Sequence, residues 1–504
     1  MTSNLRVLFL AAEADPFVKV GGLGDVAGSL PEAIKSIKSL PGDPQERAID
    51  IDIRLVVPLH SVIRKKNLPL ERLMRLSIPY QGGETDAEVW TINYKGVPVY
   101  FISGTLIPLD GTVYSSDPYV DGLKYTFVSL AALELIRKIG WKPDIIHAND
   151  WHTSPSIYAT SLRRNSDDFF KNTATLLGVH NLPYLGSGAG PALGAFGLPP
   201  ALNTKLPWWA QDMPLPMGLL ASDHIVTVSP TYAKEILTAE FGVGLEGFLK
   251  SKAKDISGIL NGINVEMWNP ATDRELFENY DVTQLEKRLA NKRVLQSELN
   301  LEVDPNILLI GIISRLEYQK GIDLVPEAIH QIANTPELAA QKWQLIALGT
   351  GDLALGSAIR RLTAEFPQLA RAEIRYDEAL SHRIYAGADI LLIPSRYEPC
   401  GLAQMIAMRY GCIPIGRATG GLRDTIQDYE QSKDSTGFLF TSASSEGLAW
   451  ALGKALQLYK NQFEWEKLQR RAMERDFSWN KSAHEFLTLY LRLVENRKKQ
   501  EVIK

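Results

Sequence analysis

"LRVLFLAAEADPFVKVGGLGDVAG", Leu5 to Gly28, joins the first apolar run of the chain to a glycine-rich turn that opens an amphipathic stretch. A strand buried on both faces reads as a continuous hydrophobic run. A glycine turn between such a strand and a helix lets backbone N–H groups close on an anion at the positively polarised helix end. Gly22-x-Gly24-x-x-x-Gly28 lies near the dinucleotide fingerprint but carries one extra residue before its last glycine. A Walker loop would end in Gly-Lys-Ser/Thr, and that tripeptide is missing from the sequence. Lys19, which a dinucleotide turn does not require, can instead reach a diphosphate as a point charge. A tight turn that binds nothing would use the same glycines.

Moving outward, apolar β-rich runs alternate with amphipathic helical stretches almost throughout, the pattern of parallel sheets built from βαβ units. "DIRLVVP", "PDIIHAND", "ATLLGVHN" and "DHIVTVS" continue the first series. Between them "RLSIPY", "EVWTINY" and "VPVYFIS" are separated by turn signals and read as an inserted meander. A second series, "ILLIGIIS", "WQLIALGT", "AEIRYD", "DILLIPS" and "IPIGRA", begins near Ile307. The polar, turn-rich "LNGINVEMWNPATD" separates the two, and after "DFSWN" a last amphipathic helix is expected from Ser482 to about Arg497. The expectation is two doubly wound α/β domains facing across a cleft, 1–267 and 268–480, followed by a closing helix over 481–504.

Length and composition agree. A chain of 504 residues is too long for one core, and 45% hydrophobic with 22% charged residues is ordinary for a globular protein. A net charge of -4 offers no basic field for nucleic acid. No apolar run approaches the ~18 residues of a membrane span. The start, Met1 to Ala14, has too short an apolar stretch for a signal peptide and is followed at once by acidic residues. Cys400 and Cys412 are the only cysteines, which excludes a disulfide framework and fits a cytoplasmic protein.

Ligands of such sheets bind beyond the carboxyl ends of strands. The polar clusters fall there: Glu13 and Lys19 after the first strand, His147 to His152 in "HANDWH", His180 and Asn181 in "GVHN", Arg315 and Lys320 in "SRLEYQKG", Tyr376 in "IRYDEA", and Glu398 in "SRYEPCGL". His147 and His152 are five apart and lack the zinc-protease spacing. Lys19 and Gly22 from one half, with Arg315 and Lys320 from the other, would bracket a diphosphate, an arrangement suited to a leaving group. An Asp-x-Asp pair that could hold a metal, Asp50 to Asp52, precedes the strand "IRLVVP" rather than ending it, so no metal is expected.

With these residues assembled, the chain resembles the bacterial-type glycogen synthases and plant-type starch synthases, retaining glycosyltransferases of the two-Rossmann GT-B architecture. "KVGGLGDV", "HANDWH", "GVHNLPYLG", "LNGINVEMWNPATD", "SRLEYQKGIDL", "LGTGD", "PSRYEPCGLAQ", "RATGGLRDT" and "DFSWNKSA" occur in the family's order. The resemblance implies transfer of glucose from ADP-glucose to the non-reducing end of an α-1,4-glucan: glycogen, starch or a malto-oligosaccharide. It implies donor contacts from Lys19, Gly22, Arg315, Lys320, Leu402 and Ala403, with Tyr376 stacking on the base. Glu13, Asp150, Asn181, Asn261, Cys400 and Gly401 would line the glucose and acceptor region. Glu398 would be the catalytic carboxylate, with His180, Arg315 and Lys320 beside it in the chemistry. The family's "HAHDW", "NGID" and "CGLTQ" are here "HANDW", "NGIN" and "CGLAQ", placing Asn149, Asn264 and Ala403 at the changed positions, and Ile406 stands where related transferases carry a second acid. The competing classes are a UDP-glucose enzyme of the same fold, an NAD(P)-binding oxidoreductase using the glycine turn, and a glucan-binding protein without catalysis.

Overall fold

The computed structural model describes residues 3–39 and 48–502. The chain divides into two compact units, Met1–Gly262 with Trp479–Lys504, and Ile263–Ser478.

The first unit is built on a nine-stranded sheet in the order β3-β4-β5-β2-β1-β6-β7-β8-β9. Its strands are β1 (Ser3–Leu10), β2 (Ile49–Pro58), β3 (Glu71–Tyr80), β4 (Gly83–Tyr94), β5 (Val97–Gly104), β6 (Ile145–Asn149), β7 (Ala174–Val179), β8 (His224–Thr227) and β9 (Ile256–Gly258). Val7, Phe9 and Leu10 of β1 and Ile145 and Ile146 of β6 have no exposed surface, as strands covered by helices on both faces require. The meander extends one edge: β3, β4 and β5 pair antiparallel, and β5 then joins β2 in parallel. Its two connections each place both central residues at positive φ, Gln81 and Gly82, then Lys95 and Gly96, as tight hairpin turns demand. On the outer strand β3 the burial alternates, and Arg72 and Arg75 pair with Glu88 across the ladder.

The second unit carries a six-stranded parallel sheet, β12-β11-β10-β13-β14-β15. These strands are β10 (Leu308–Ile313), β11 (Trp343–Leu348), β12 (Ala370–Glu373), β13 (Ile390–Ile393), β14 (Ile413–Arg417) and β15 (Phe438–Phe440). Two of the helices between them start on side-chain caps: Asp352 accepts from the amides of Ala354 and Leu355, and Asp377 from that of Leu380.

The division falls between Gly262 and Ile263, five residues before the boundary read at 267/268. Side-chain chemistry explains the difference. The indole of Trp268 stacks on His382 at 4.2 Å, and Asp273 accepts from His382 and from Tyr410, each at 2.6 Å. Arg409 donates to the carbonyls of Val265 and Trp268, so this turn-rich segment is fastened to the second unit although it reads as a linker.

The last helix runs Trp479–Val502, longer than the Ser482 to Arg497 read from its pattern. Trp479, Ala483, Phe486, Leu487, Tyr490 and Leu493 recur at helical spacing and enter one core with Leu5, Val7 and Phe9. Each large apolar side chain so buried contributes about 1.5–3 kcal/mol, and Ser482 adds a hydrogen bond to the Leu260 carbonyl. Asp50 and Asp52 lie inside the first half of β2 rather than ahead of it, and Asp52 binds Arg54 at 2.9 Å and the Trp141 indole N–H at 2.7 Å.

Candidate active site

In each unit the strand order reverses at one point, and a doubly wound sheet opens a crevice there. In the first unit β1 lies between β2 and β6, so the loops after β1 and β6 flank the switch. In the second, β10 lies between β11 and β13, so the loops after β10 and β13 do. The candidate residues concentrate at these two places.

In the first unit the chain after β1 turns back so that the Glu13 carboxylate accepts from the amides of Val20 and Gly21. Gly21 caps the helix Gly22–Lys35, and Lys19 donates to Asp25 in its first turn at 2.6 Å. Gly28 lies so close to Asp15 that a Cβ would stand 2.3 Å from its carbonyl oxygen, so the third glycine of the motif serves close packing of helix on turn. Burial raises the Glu13 carboxyl above its ordinary range, against hydrogen bonds from Val20, Gly21 and Tyr114 that lower it.

After β6, Asp150 takes a positive φ of 53° at the start of the helix Asp150–Arg163. Its Oδ1 accepts from the His180 amide at 2.7 Å, which ties the end of β6 to the end of β7. Burial pushes the Asp150 carboxyl up to about 7, opposed by the amides of His180 and Asn181. Burial also lowers His180 to about 4 and His147 to about 3, so these rings are neutral. His180, Asn149, Asn261 and His147 line one small cavity. Asn181 Oδ1 is buried and, among the described residues, has no hydrogen-bond partner; the same holds for His152 Nδ1. Buried orphan acceptors of this kind are rare in folded proteins and mark places where a ligand can supply the missing bond.

In the second unit Lys320 and Glu398, from the loops after β10 and β13, meet across the switch point. Lys320 Nζ lies 2.8 Å from Oε1 and 2.7 Å from Oε2 of Glu398, and Ser395 Oγ donates to Oε2 at 2.8 Å. The two loops are fastened along their length. Arg396 pairs with Asp323 and lies 3.6 Å from the ring centre of Tyr318, and Gln319 donates to the Tyr397 carbonyl. Gly321, at φ +65°, comes so near Pro394 that a Cβ would stand 2.0 Å from its carbonyl oxygen. A cavity of about 60 Å³ beside the pair is lined by Ser314, Ser395, Gly401, Leu402, Ala403 and Gln404 among others. Gly401, at φ +72°, would direct a Cβ to 3.0 Å from the Glu398 side chain, and Gly420 would direct one to 2.0 Å from the Glu398 carbonyl oxygen. Both glycines therefore let the polypeptide close around Glu398. Leu402 and Ala403 open the short helix Ala403–Arg409, and Cys400 is buried behind them.

Arg315 sits at the same loop but pairs with Glu317 and is half exposed. Tyr376 follows β12, two strands away from β10, and is 79% exposed. Three further residues belong to these clusters: Tyr114 outside the quoted motifs, and Ser395 and Gln404 inside "PSRYEPCGLAQ" but given no role by it. Tyr114, which bonds Glu13, lies in a loop without periodicity. Gln404 is buried, and among the described residues its Oε1 has no hydrogen-bond partner. Ser395 carries the one usable signal, its position three residues ahead of Glu398. Among the described residues no group of three or more His, Cys, Asp or Glu side chains is placed to hold a metal ion, and no helix is long and apolar enough to cross a membrane.

Similarity to known proteins converges on the same two units. The starch synthase catalytic domain family matches residues 6–251, and the glycosyl transferases group 1 family matches residues 292–472. A glycogen synthase of Thermotoga petrophila is 39% identical over 498 residues, covering 96% of this chain and 98% of its own. One from Syntrophotalea carbinolica is 38% identical, covering 97% and 99%. Among solved structures, the catalytic domain of starch synthase IV from Arabidopsis thaliana, bound to ADP and acarbose, superposes with a TM-score of 0.84 at 32% identity, over 98% of this chain and 100% of that one. With two Rossmann-like α/β units in the GT-B fold and relatives of this identity along its whole length, the chain belongs to the glycogen and starch synthase family of glycosyltransferases.

Proposed function

We propose that the protein transfers glucose from ADP-glucose to the non-reducing end of an α-1,4-glucan with retention of configuration, as a cytoplasmic enzyme that needs no metal. The observation that carries this reading is the Lys320–Glu398 pair, two-pronged and lodged at the switch point of the second unit. Glucosyl transfer from a nucleoside diphosphate builds positive charge on the sugar and negative charge on the departing diphosphate. A carboxylate and an ammonium fixed side by side match those two developing charges, and they act on the transition state more than on the ground state.

In this scheme Lys320 and Arg315 of the second unit supply cations for the diphosphate, with the backbone amides of Leu402 and Ala403 as further donors, and Lys19 and Gly22 are the donor-binding residues of the first unit. Tyr376 offers an exposed ring for the base. Glu398 supports the sugar in the transition state, held by Lys320 and Ser395 and enclosed by Cys400 and Gly401. Glu13, Asp150, His180, Asn181 and Asn261 present mostly uncharged hydrogen-bonding groups to glucose and acceptor. A retaining hydrolase would need a second carboxylate about 5 Å from the first. Among the described residues Glu398 is the only carboxylate that lines its cavity. The acceptor hydroxyl then attacks on the leaving-group face, and a diphosphate oxygen takes its proton.

The experiment is nucleotide release from ADP-glucose and from UDP-glucose, with and without a glucan primer. Primer-dependent release of ADP well above that of UDP supports the assignment. Release of UDP alone replaces the donor, and binding of NAD(H) with no transfer from either sugar nucleotide overturns the reaction class.

A further inference from the structure

Asn149, the last residue of β6, has both ends of its side-chain amide committed. Nδ2 donates to the carbonyl oxygen of Leu10 at 2.8 Å. A carbonyl only accepts, so the amide cannot be turned over. Oδ1 therefore faces His180 Nε2, at 2.8 Å. An amide oxygen also only accepts, so Nε2 carries a proton. The buried ring, lowered to about 4, holds a single proton near neutrality, which leaves Nδ1 as a bare lone pair. Among the described residues no donor reaches Nδ1. The neighbouring strand leaves room for this contact. Gly178, paired with Asn149 across β6 and β7, would direct a Cβ to 2.7 Å from Asn149 Oδ1.

We infer that Asn149 is a positioning residue that locks His180 in the Nε2–H tautomer, so that the substrate group meeting His180 is a hydrogen-bond donor, a sugar hydroxyl, rather than an acceptor. The hydroxyl rests on the glucosyl-transfer reading; the tautomer rests on the two Asn149 hydrogen bonds and the neutrality of the buried ring. A purely structural Asn149 would tie β6 to β1 through Leu10 and leave the imidazole indifferent.

The test uses full-length, ligand-free protein labelled with ¹⁵N in its histidine rings, with His180→Gln to assign the signal. The expected spectrum shows one His180 tautomer, protonated at Nε2. Asn149→Ala should release a mixture of tautomers and lower kcat by ~10-fold through lost orientation. Asn149→His keeps one ring nitrogen to donate to Leu10 and one to accept from His180, and should restore both the single tautomer and most of the turnover. A wild-type ring protonated at Nδ1 overturns the inference, as does an unchanged Nε2–H tautomer in Asn149→Ala. Should Asn149→Ala fail to fold, the wild-type spectrum and Asn149→His still decide. Absence of any glucosyl transfer would defeat the functional reading without touching the tautomer measurement.

Discussion

The two switch points are built from opposite materials. At the first, buried groups are held close to neutrality: His180 at about 4, His147 at about 3 and Asp150 near 7, joined by hydrogen bonds to backbone and amide groups. At the second, full charges stand in pairs, Lys320 with Glu398 and Arg396 with Asp323, on loops stitched together residue by residue. Neutral donors and acceptors suit the recognition of uncharged hydroxyls, where discrimination comes from bonds left unmade. Fixed charges suit a place where charge develops during reaction. On the proposed function the contrast divides the labour of a glucosyl transferase between recognition and chemistry, and it can be broken from either side.

The largest effect is expected at the charged pair. Glu398→Gln keeps the shape and one acceptor but removes the charge, and should lower kcat by ~100-fold or more with little change in donor affinity. Lys320→Ala should do comparable damage, far beyond the ~1 kcal/mol of a surface ion pair. Because the two act as a unit, the double variant should be little worse than either single one in steady-state kinetics. Near-normal turnover in Glu398→Gln, with only a small fall in melting temperature, would reduce the pair to scaffolding.

The next effect concerns acid. Burial holds His60, His147, His152, His180 and His224 of the first unit below their ordinary value of 6.5. Groups with a depressed folded pKa leave the unfolded chain holding more protons, so the stability they contribute is present above 6.5 and is lost as pH falls toward 4. Each such group contributes a slope of up to about 1.4 kcal/mol per pH unit. Asp150, pushed up to about 7, and Glu13, also raised by burial, work in the opposite direction but are fewer. In the second unit His330 and His382 instead contact Glu365 and Asp273. Hydrogen exchange compared at pH 7 and pH 5 should show β1, β6 and β7 losing protection before β10 and β13. Simultaneous loss in both units would erase the contrast.

A third effect separates stability from function at Asp150. Its folded pKa lies above its ordinary value of 3.8, so the stability it contributes is complete below that value and is lost as pH rises through about 7. Asp150→Asn tolerates the positive φ, keeps an oxygen for the His180 amide and removes the buried charge. Denaturant unfolding should find the variant more stable by ~1–3 kcal/mol at pH 8 and nearly unchanged at pH 4. Its kcat/KM should fall, because an acceptor for sugar hydroxyls has become partly a donor. Equal stability at both pH values would place the carboxyl in a wetter setting than its burial indicates.

The sheets were legible because central parallel strands announce themselves as runs such as "ILLIGIIS", and because polar residues cluster at their carboxyl ends. What sequence hides is partnership. Lys320 and Glu398 stand 78 positions apart, and only the adjacency of β10 and β13 makes them a pair. Asn149 reads as a local exchange of side chain, yet its meaning depends on Leu10 at the end of β1 and His180 just past β7. The segment around Trp268 is rich in turn residues and so resembles a linker, but its aromatic and acidic side chains bind it to His382 and Tyr410. Helix ends erred for a related reason: Trp479 continues the apolar stripe beyond the point where polar neighbours suggest a start.

The smallest effect expected is none at all, on chelation. Enzymes acting on sugar nucleotides often bridge the diphosphate with a divalent cation on an Asp-x-Asp pair, because adjacent phosphates demand positive charge. Asp50 and Asp52 have that spacing, yet they occupy the amino-terminal half of β2, and Asp52 is already bound to Arg54 and Trp141. The strand ends that flank the switch points carry Lys19, Arg315 and Lys320 instead. On the proposed function Arg315 and Lys320 of the second unit meet the diphosphate as cations, with helix N-termini adding to the field. Initial rates of ADP release in millimolar EDTA should therefore match those in Mg²⁺, and both should fall together in Lys320→Ala. Loss of activity in EDTA with recovery on adding Mg²⁺ or Mn²⁺ would mean that the cations at the second switch point do not suffice, and that the division between a neutral and a charged region lacks its main electrostatic component.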